Sequence, residues 1–306
     1  MPEVDGYECP NFMVPGDYDY SKNTHEVYAV LEREPSEGAL HASEHGELSA
    51  TIHGTRVIFE IDREYHGVYQ KKRAEYHLQS VSNLIPKAVP CCPSDGSPDG
   101  PSPWLIYTGG AMGSGKGRTM RWLRMNGYFP VPDVVVVDQD AIRQCFPEFQ
   151  GYVRRDPYTA GWRTQRESGL VAELTYQAAM TMQRHVVVDG SLSNIEWHKA
   201  LIPQLRSRFP RYRVGVVFVT APREEIILRV ERRAKITGRM VPLQEIDRSV
   251  AAGERVHELG PLVDFLAFFT NVDGQDPKLE SIVNAREEGT LEKFRELLRE
   301  KTQATM

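Results

Sequence analysis

The sequence predicts an α/β fold in which a parallel sheet carries helices on both faces, preceded by a small α+β region. Two observations predict this organisation. After residue 103, short Val- and Ile-rich runs alternate with helical stretches, and such unbroken runs are typical of parallel strands buried on both faces. Residues 1–85 lack this alternation. A stretch rich in Pro, Gly and Ser at residues 86–103 follows them, and its prolines exclude a helix or a central strand.

The pattern divides the chain linearly into an N-terminal region at 1–85, a linker at 86–103, a main domain at 104–280 and a C-terminal helix and tail at 281–306. In the N-terminal region we predict a helix at Thr24–Glu34, two strands within 47–61 around His53-Gly54, and a helix over 63–85. Candidate buried positions of that last helix are Tyr65, Val68, Tyr69, Tyr76, Val81 and Leu84. In the main domain we predict strands at Trp104–Thr108, Val134–Val137, His185–Val188 and Arg213–Thr220. The helices between and after them are predicted at Lys116–Asn126, Arg166–Met182, Asn194–Arg208 and Arg223–Ile236.

Composition excludes several classes of protein. The chain has 306 residues, 41% of them hydrophobic, and a net charge of −5. No apolar run approaches the ~20 residues that span a bilayer, and the first residues are acidic, so we expect no membrane partner, no signal peptide and a cytoplasmic location. The net acidity gives no overall attraction to nucleic acid, which we do not expect as a partner.

The cysteines predict no metal or disulfide chemistry. Cys91 and Cys92 are adjacent, Cys9 and Cys145 stand alone, and no C-x-x-C pair occurs. We therefore expect four reduced thiols.

A phosphate-binding loop follows the first strand of the main domain. Residues 110–116 satisfy the pattern G-x-x-x-x-G-K between a strand and a helix, whereas an incidental glycine-rich turn is the alternative. Glycines let successive backbone N–H groups surround a phosphate, and Lys116 would reach the β- and γ-phosphates of ATP. The predicted nucleotide-binding residues are Gly110, Ala111, Met112, Gly113, Ser114, Gly115, Lys116, Gly117 and Arg118.

The loop departs from the usual pattern at one position. Ser or Thr normally follows the lysine and binds Mg²⁺, but here the residue is Gly117, and Thr119 lies two positions later on another side of the helix. Ser114, Asp138 or water would then hold the Mg²⁺ ion, or catalysis has been lost.

Acidic residues follow two other strands. Phosphoryl transfer needs a carboxylate near the acceptor hydroxyl and often another near the metal, and Asp138 and Asp140 could supply both. The alternative for Asp140 is a helix N-cap. Asp189 and Ser191 follow the third strand, where a tight turn is the alternative to ligand binding.

A cluster of cations follows the fourth strand. Gly238 is predicted to end a helix, and arginines on such a segment can close over a phosphate as a lid, whereas the alternative is a solvated helix end. The cluster consists of Arg229, Arg232, Arg233, Lys235 and Arg239.

Residues 104–272 resemble the zeta toxin family of P-loop kinases, on five segments that occur in order. These are GGAMGSGKG, VVVVDQDAIRQCFPEF, TQRESGLVAEL, VVVDGSLSN with Trp197-His198, and VTAPREEIILRVERRAKITGRMVP. The phrases GKGRTMRWLR and DGSLSNIEWH are more similar to eukaryotic members than to bacterial toxins. The family phosphorylates the 3′-hydroxyl of the sugar in UDP-N-acetylglucosamine with ATP.

The resemblance implies roles for individual residues. Lys116 would bind the ATP phosphates, and Asp140 would be the base on the acceptor hydroxyl. Arg233, or the adjacent Arg232, and Arg239 would be the phosphate-binding arginines. Asp189 and Ser191 stand where the family has Glu and Thr on the sugar side, and Glu173, or Glu167, matches a substrate-side acid.

The resulting hypothesis is an ATP- and Mg²⁺-dependent kinase acting on a small molecule, such as a nucleotide sugar. Two alternatives stay open at this point. One is an ATP-binding sensing or interaction module with weak or no catalysis, and the other is a nucleoside or polynucleotide kinase. Nothing in the sequence identifies a protein partner.

Overall fold

A computed structural model describes residues 3–4, 7–30, 41–42, 48–87, 102–131, 133–284 and 289–299. Most of the predicted linker, residues 88–101, lies outside this description, as do Cys91 and Cys92. The described strands are β1 (Glu3–Val4), β2 (Tyr7–Glu8), β3 (His41–Ala42), β4 (Leu48–Ile52), β5 (Thr55–Phe59), β6 (Trp104–Gly109), β7 (Val135–Asp138), β8 (Val186–Asp189), β9 (Arg213–Thr220), β10 (Phe265–Thr270) and β11 (Lys278–Val283). The described α-helices are α1 (Thr24–Tyr28), α2 (Arg63–His66), α3 (Lys71–Leu84), α4 (Lys116–Met125), α5 (Gln139–Gln144), α6 (Phe149–Arg155), α7 (Ala160–Arg163), α8 (Gln165–Thr181), α9 (Ile195–Arg208), α10 (Arg223–Thr237), α11 (Leu243–Gly253) and α12 (Leu291–Arg299).

The central sheet confirms the predicted α/β class. Its six strands lie in the order β11-β10-β9-β6-β8-β7, and helices flank it. The pairs β10–β9, β9–β6 and β6–β8 are parallel, and the edge strand β11 runs antiparallel to β10. All four predicted strands of the main domain are present within a residue of their predicted ends. The sequence patterns did not predict β10 and β11.

The chain forms two compact units, each built from separate segments. The first unit comprises Met1–Ala88 and Val137–Met182, and the second comprises Val89–Val136 and Gln183–Met306. The predicted linear division into four parts stays a prediction.

The core of the second unit lies between the sheet and its helices. Every residue of β6 is buried, as expected of a strand in a parallel sheet that is covered on both faces. Helix α12 closes this core, since Phe294 is fully buried and its ring meets those of Phe265 and Phe269 edge to face. The Trp104 indole N–H donates to the Leu298 carbonyl over 3.2 Å, which fixes the end of this helix on β6.

The first unit begins with a hairpin and two helices that the N-terminal sequence partly predicts. Strands β4 and β5 pair antiparallel, and His53 and Gly54 between them both have positive φ, as a two-residue hairpin turn requires. The predicted helix 63–85 is instead two helices, because the chain turns at Gly67, where φ is 79°. Tyr65 and Val68 lie at this break and are therefore 49% and 43% exposed rather than buried. Helix α1 ends at Tyr28, earlier than predicted.

A buried charge network occupies the middle of the first unit, and Arg73 is its centre. The Arg73 guanidinium bonds both carboxylate oxygens of Glu148 at 3.1 and 3.2 Å, and its Nε donates to Glu167 over 2.5 Å. His77 Nε2 lies 2.6 Å from the same Glu167 oxygen, and the Tyr28 hydroxyl donates to Glu148. The guanidinium also lies over aromatic rings, those of Phe12, Tyr28, Tyr76 and Phe146.

The expectation of four reduced thiols is wrong for one pair of cysteines. Cys9 and Cys145 form a disulfide in the first unit, with 5.1 Å between their Cα atoms. The two residues are separated by 136 positions in the sequence, so spacing gave no sign that the fold brings them together. Disulfides are rare in cytosolic proteins, and the cytoplasmic location stays a prediction.

Within the described part of the chain, every helix is too short or too polar to cross a bilayer.

Replacing Arg73 with Met should destabilise the protein strongly, because two fully buried carboxylates would lose their partner. We expect the free energy of unfolding to fall by about 3–5 kcal/mol, measured by urea denaturation. Lys72→Met is the matched control, since it removes an exposed cation one position earlier and should change stability by less than about 0.5 kcal/mol. Equal effects of the two substitutions would show that the buried network contributes nothing specific.

Candidate functional site

The predicted phosphate-binding loop connects β6 to α4 in the second unit. Gly110 and Gly115 have φ values of 125° and 92°, which L-residues with side chains rarely adopt. A Cβ on Gly110 would lie 2.1 Å from the Val219 carbonyl oxygen, and one on Gly115 would lie 1.7 Å from Nδ2 of Asn271. Both glycines are therefore required by backbone conformation and by close packing, as expected of a loop whose N–H groups converge on an anion.

The two polar side chains of the loop, those of Lys116 and Ser114, differ in their hydrogen bonding. Lys116 Nζ donates to the carbonyl oxygens of Gly110 and Ala111, over 3.1 and 3.4 Å. Ser114 Oγ is buried and has no hydrogen-bond partner among the described residues, and a Cβ on Gly110 would lie 2.9 Å from it. A buried hydroxyl without a partner is costly, so this atom is suited to donate to an oxygen of a bound phosphate.

Asn271, just after β10, forms hydrogen bonds with the backbone of the phosphate-binding loop. Its side-chain amide donates to the Ser114 and Gly115 carbonyl oxygens, each over 3.2 Å. Its side-chain oxygen accepts from Arg118 Nη1 over 2.7 Å, and Arg118 Nη2 donates to the Gln275 carbonyl over 2.6 Å. The side chain of Asn271 is fully buried, so its polar atoms depend on these bonds.

Arg229 supports the same loop and is not a lid residue, which corrects the prediction for this member of the cation cluster. Its Nη1 donates to the Gly113 and Ser114 carbonyl oxygens over 3.1 and 3.3 Å. Its Nη2 lies 2.6 Å from Glu225 and 2.8 Å from Asp273. A guanidinium held by two carboxylates and the loop backbone is fixed in place.

The other predicted cations lie further along the same helix. Arg232 and Arg233 are exposed on α10, and Arg239 is half-buried just beyond it. The helix ends at Thr237, and Gly238 adopts φ 72° there, which confirms the predicted helix end.

Asp189 and Ser191 lie at the carboxyl end of β8, next to the strand that leads into the loop. The Thr108 hydroxyl donates to the Asp189 carboxylate in a short hydrogen bond. The Ser191 carbonyl accepts from the Gly110 N–H over 3.1 Å, and its hydroxyl bonds the Ser193 hydroxyl over 2.9 Å. Asp189 is thereby adjacent to the start of the phosphate-binding loop, as a strand-end acid in this fold should be.

In the first unit, the two acids of the sequence D-Q-D have different roles. Asp138 is the N-cap of α5, since its Oδ1 accepts from the backbone N–H groups of Asp140 and Ala141 over 2.7 and 3.2 Å. The sequence suggested Asp140 as an alternative helix N-cap, but the N-cap of α5 is Asp138. The Asp140 carboxylate instead lies 3.3 Å from Arg143 Nε. Arg143 is buried and bonded to Gly161 and Gln165, so it holds the Asp140 side chain in place.

Glu167 and Glu173 were alternatives for one substrate-side acid, and their environments differ. Glu167 is fully buried against Arg73 and His77. Burial by itself raises the pKa of Glu167, but the Arg73 ion pair and the His77 hydrogen bond outweigh it and lower that pKa to about 2. Glu173 is 19% exposed and touches His66. Glu167 is therefore a structural anion, and Glu173 is the more exposed of the two acids.

Sequence reasoning missed Asn271, Arg143 and His66. Asn271 follows an apolar run that was not recognised as a strand, so its position at a strand end was not visible. Arg143 lay within the quoted D-Q-D-A-I-R segment, and its spacing of three from Asp140 on a helix was a usable signal. His66 had no local signal, because its partner Glu173 is far away in the sequence.

A glycine-rich loop between a strand and a helix of a mostly parallel sheet defines the P-loop class of phosphate-binding proteins. The family model of the zeta toxin matches residues 93–259, which is more than half of the chain. The chain belongs to the zeta toxin family and is a P-loop kinase, which confirms the resemblance found in the sequence.

Solved structures show the same fold at low identity. The chain is similar to a protein of the PezAT chromosomal toxin–antitoxin system of Streptococcus pneumoniae, with 15% identity, a TM-score of 0.51, and coverage of 78% of this chain and 88% of that one. It is also similar to a chain of the AvrRxo1-ORF1:AvrRxo1-ORF2 complex, with 16% identity, a TM-score of 0.54 and coverage of 92% and 82%. The same complex with ATP matches at 17% identity, a TM-score of 0.54 and coverage of 93% and 83%. None of the curated proteins matches the chain.

Replacing Asn271 with Ala should loosen the phosphate-binding loop, because two loop carbonyls and Arg118 would lose a buried partner. We expect a loss of about 1–3 kcal/mol in stability. Hydrogen–deuterium exchange of peptides covering 110–118 should rise. Gln275→Ala is the control, since Arg118 bonds the Gln275 carbonyl and not its exposed side chain. Unchanged exchange in the Asn271 variant would show that the loop keeps its conformation without this amide.

Proposed function

We propose that this kinase transfers the γ-phosphate of ATP to a hydroxyl of a small molecule, such as the sugar of a nucleotide sugar. The observation that carries the proposal is the loop at 110–116, with its positive-φ glycines, Lys116 and the buried Ser114 hydroxyl, which has no partner in the described part of the chain. Membership of the zeta toxin family supports it, as does the similarity to a complex that contains ATP.

In this proposal the loop holds the triphosphate. Loop N–H groups other than those of Gly110 and Ser114, which donate to the Ser191 and Ala111 carbonyl oxygens, would bind phosphate oxygens together with the positive end of α4. Ser114 would donate its hydroxyl hydrogen bond to one of these oxygens, and Lys116 would exchange its bonds to loop carbonyls for the β- and γ-phosphates. Arg233 and Arg239 would supply positive charge next to the negatively charged oxygens of the transferred group.

Asp140 would act on the acceptor. As the acceptor oxygen attacks the γ-phosphorus, its proton passes to the Asp140 carboxylate, the bond to the β-phosphate oxygen breaks, and ADP leaves. Arg143 would keep the carboxylate oriented throughout. Glu173, Asp189 and Ser191 would contact the acceptor, and Asp189 is one carbon shorter than the family's Glu, which can alter which sugar is accepted.

Mg²⁺ would be needed to neutralise charge on the phosphates. The residues present fit an ion held mainly by phosphates and water, as Mg²⁺ often is. Gly117 offers no hydroxyl, and no group of three potential metal ligands occurs among the described residues. The Asp189 carboxylate, which accepts a hydrogen bond from Thr108, would bind a water molecule coordinated to the ion. One carboxylate oxygen of Asp138 already accepts hydrogen bonds as the N-cap of α5.

The test is mass spectrometry of the purified protein with ATP, Mg²⁺ and a panel of nucleotide sugars, nucleosides and oligonucleotides. We expect a product 80 Da heavier than one nucleotide sugar, the mass that a phosphoryl group adds in place of a proton. Lys116→Ala and Asp140→Ala should reduce its formation by roughly 100-fold or more without changing the circular dichroism spectrum.

Other outcomes would redirect the proposal. Product only with nucleosides or oligonucleotides would replace the acceptor class. ATP binding with no product from any acceptor would favour the interaction module. Full turnover by Asp140→Ala would show that another group takes the proton.

Restoring the hydroxyl at position 117 should strengthen the use of Mg²⁺. A Cβ on Gly117 meets nothing within 4 Å, so Ser fits there. We expect Gly117→Ser to lower the Mg²⁺ concentration for half-maximal activity about tenfold, which corresponds to ~1.4 kcal/mol. Calorimetry of ATP binding with and without Mg²⁺ should show the same gain.

Gly117→Ala is the control for this experiment, since it gives the helix the same added Cβ without a hydroxyl. If the Ala and Ser variants respond equally to Mg²⁺, the hydroxyl has no role and the ion is bound elsewhere.

A further inference from the structure

The N-terminal region of the chain contributes a buried histidine to the segment that carries the predicted acceptor-side acid. His66 ends α2, where the N-cap Asp62 accepts from the Tyr65 N–H and Gly67 turns the chain at φ 79°. The side chain is 1% exposed, although the preceding Tyr65 is 49% exposed. The short helix therefore directs His66 alone into the unit.

Both ring nitrogens of His66 face acceptors on α8. Nδ1 lies 3.2 Å from the Arg166 carbonyl oxygen, and Nε2 lies 3.1 Å from Oε1 of Glu173. A carbonyl and a carboxylate both accept hydrogen bonds, so any ring nitrogen that carries a proton donates to one of them. The histidine thus spans nearly two turns of α8, from residue 166 to residue 173.

The same face of α8 is tied to the segment that carries Asp140. Gly169 lies between the two contacts of His66, and a Cβ there would be 3.8 Å from the His66 ring and 3.4 Å from the Gln139 amide nitrogen. Gln139, between the two acids of D-Q-D, donates to the Gln165 carbonyl and to the Ser168 hydroxyl, over 2.9 and 3.0 Å. One helix face therefore receives His66 on one side and the residue preceding Asp140 on the other.

Glu173 differs from the other acids of the unit in its environment. Glu148 and Glu167 are fully buried in the Arg73 network, whereas the Glu173 side chain is 19% exposed and lies 3.1 Å from His66 Nε2. One of its oxygens contacts His66, and its side chain is partly exposed, whereas the other two acids are enclosed. A long side chain loses conformational entropy when a ligand binds to it. A side chain that is already held in place by a neighbouring residue loses less entropy on binding.

We propose that His66 is a positioning residue that fixes the Glu173 carboxylate for binding of the phosphate acceptor. Residues 1–85 then supply part of the acceptor-binding machinery and are more than an appended region. This inference rests on the proposed kinase function, since it assigns Glu173 to the acceptor.

Steady-state kinetics of His66→Phe and His66→Gln test the proposal. Phe keeps the ring shape without donors, and we expect the KM for the acceptor to rise roughly 10–100-fold, with the KM for ATP unchanged. Gln places an amide donor near Nε2 and should recover most of this loss. In a Glu173→Gln background, His66→Phe should raise the acceptor KM little beyond the value for Glu173→Gln alone. The reason is that both substitutions break the same interaction. Glu64→Ala, an exposed change in the same helix, is the control.

Nuclear magnetic resonance of the imidazole nitrogens tests the pair without activity. The ¹⁵N shifts of His66 should change in Glu173→Gln and stay unchanged in Glu64→Ala. Additive kinetic effects, or equal rises in both KM values, would assign His66 a general structural role and overturn the proposal. Unchanged ¹⁵N shifts in Glu173→Gln would overturn it as well. A protein that forms no product with any acceptor while the shifts change would refute the kinase function and leave the His66–Glu173 pair established.

Discussion

The first unit depends on one buried guanidinium. Arg73 brings together Glu148 and Glu167, neither of which could stay ionised in the interior without it. The two carboxylates come from segments on either side of α6 and α7, so the arginine connects the N-terminal region to both. Its planar fork suits this task, because it satisfies two oxygens of Glu148 and one of Glu167 at once. A lysine could not bond both acids in this geometry.

In the second unit, hydrogen bonds from two side chains hold the phosphate-binding loop in its conformation. Its phosphate-binding loop has a backbone that turns through several positive φ values, which would be mobile in isolation. An amide from Asn271 and a guanidinium from Arg229 bond the carbonyl side of the loop. Because these bonds use carbonyl oxygens, the two side chains that stabilise the loop do not compete with a phosphate for its N–H groups.

The sequence predicted those parts of the molecule whose signals are local. The four Val- and Ile-rich strands, the loop before Lys116 and the helix end at Gly238 all depend on neighbouring residues, and all were found. The disulfide of Cys9 with Cys145 and the partners of Arg73 connect residues that are distant in sequence, and no spacing rule reveals such pairs. Strand β11 is mostly exposed at a sheet edge, and it lacks the continuous apolar run that marks the four predicted strands.

The N-terminal region carried no recognisable chemical signal for the same physical cause, the distance in sequence between its residues and their partners. The match to the zeta toxin family begins at residue 93, and it includes Glu148, Glu167 and Glu173. The bases that contact these acids, Arg73, His77 and His66, all precede it. A supporting side chain has no pattern of its own, because its role is defined only by the group it contacts. Carboxylates as deeply buried as Glu148 and Glu167 are expensive without partners, so the matched segment carries a charge pattern that only the preceding residues complete.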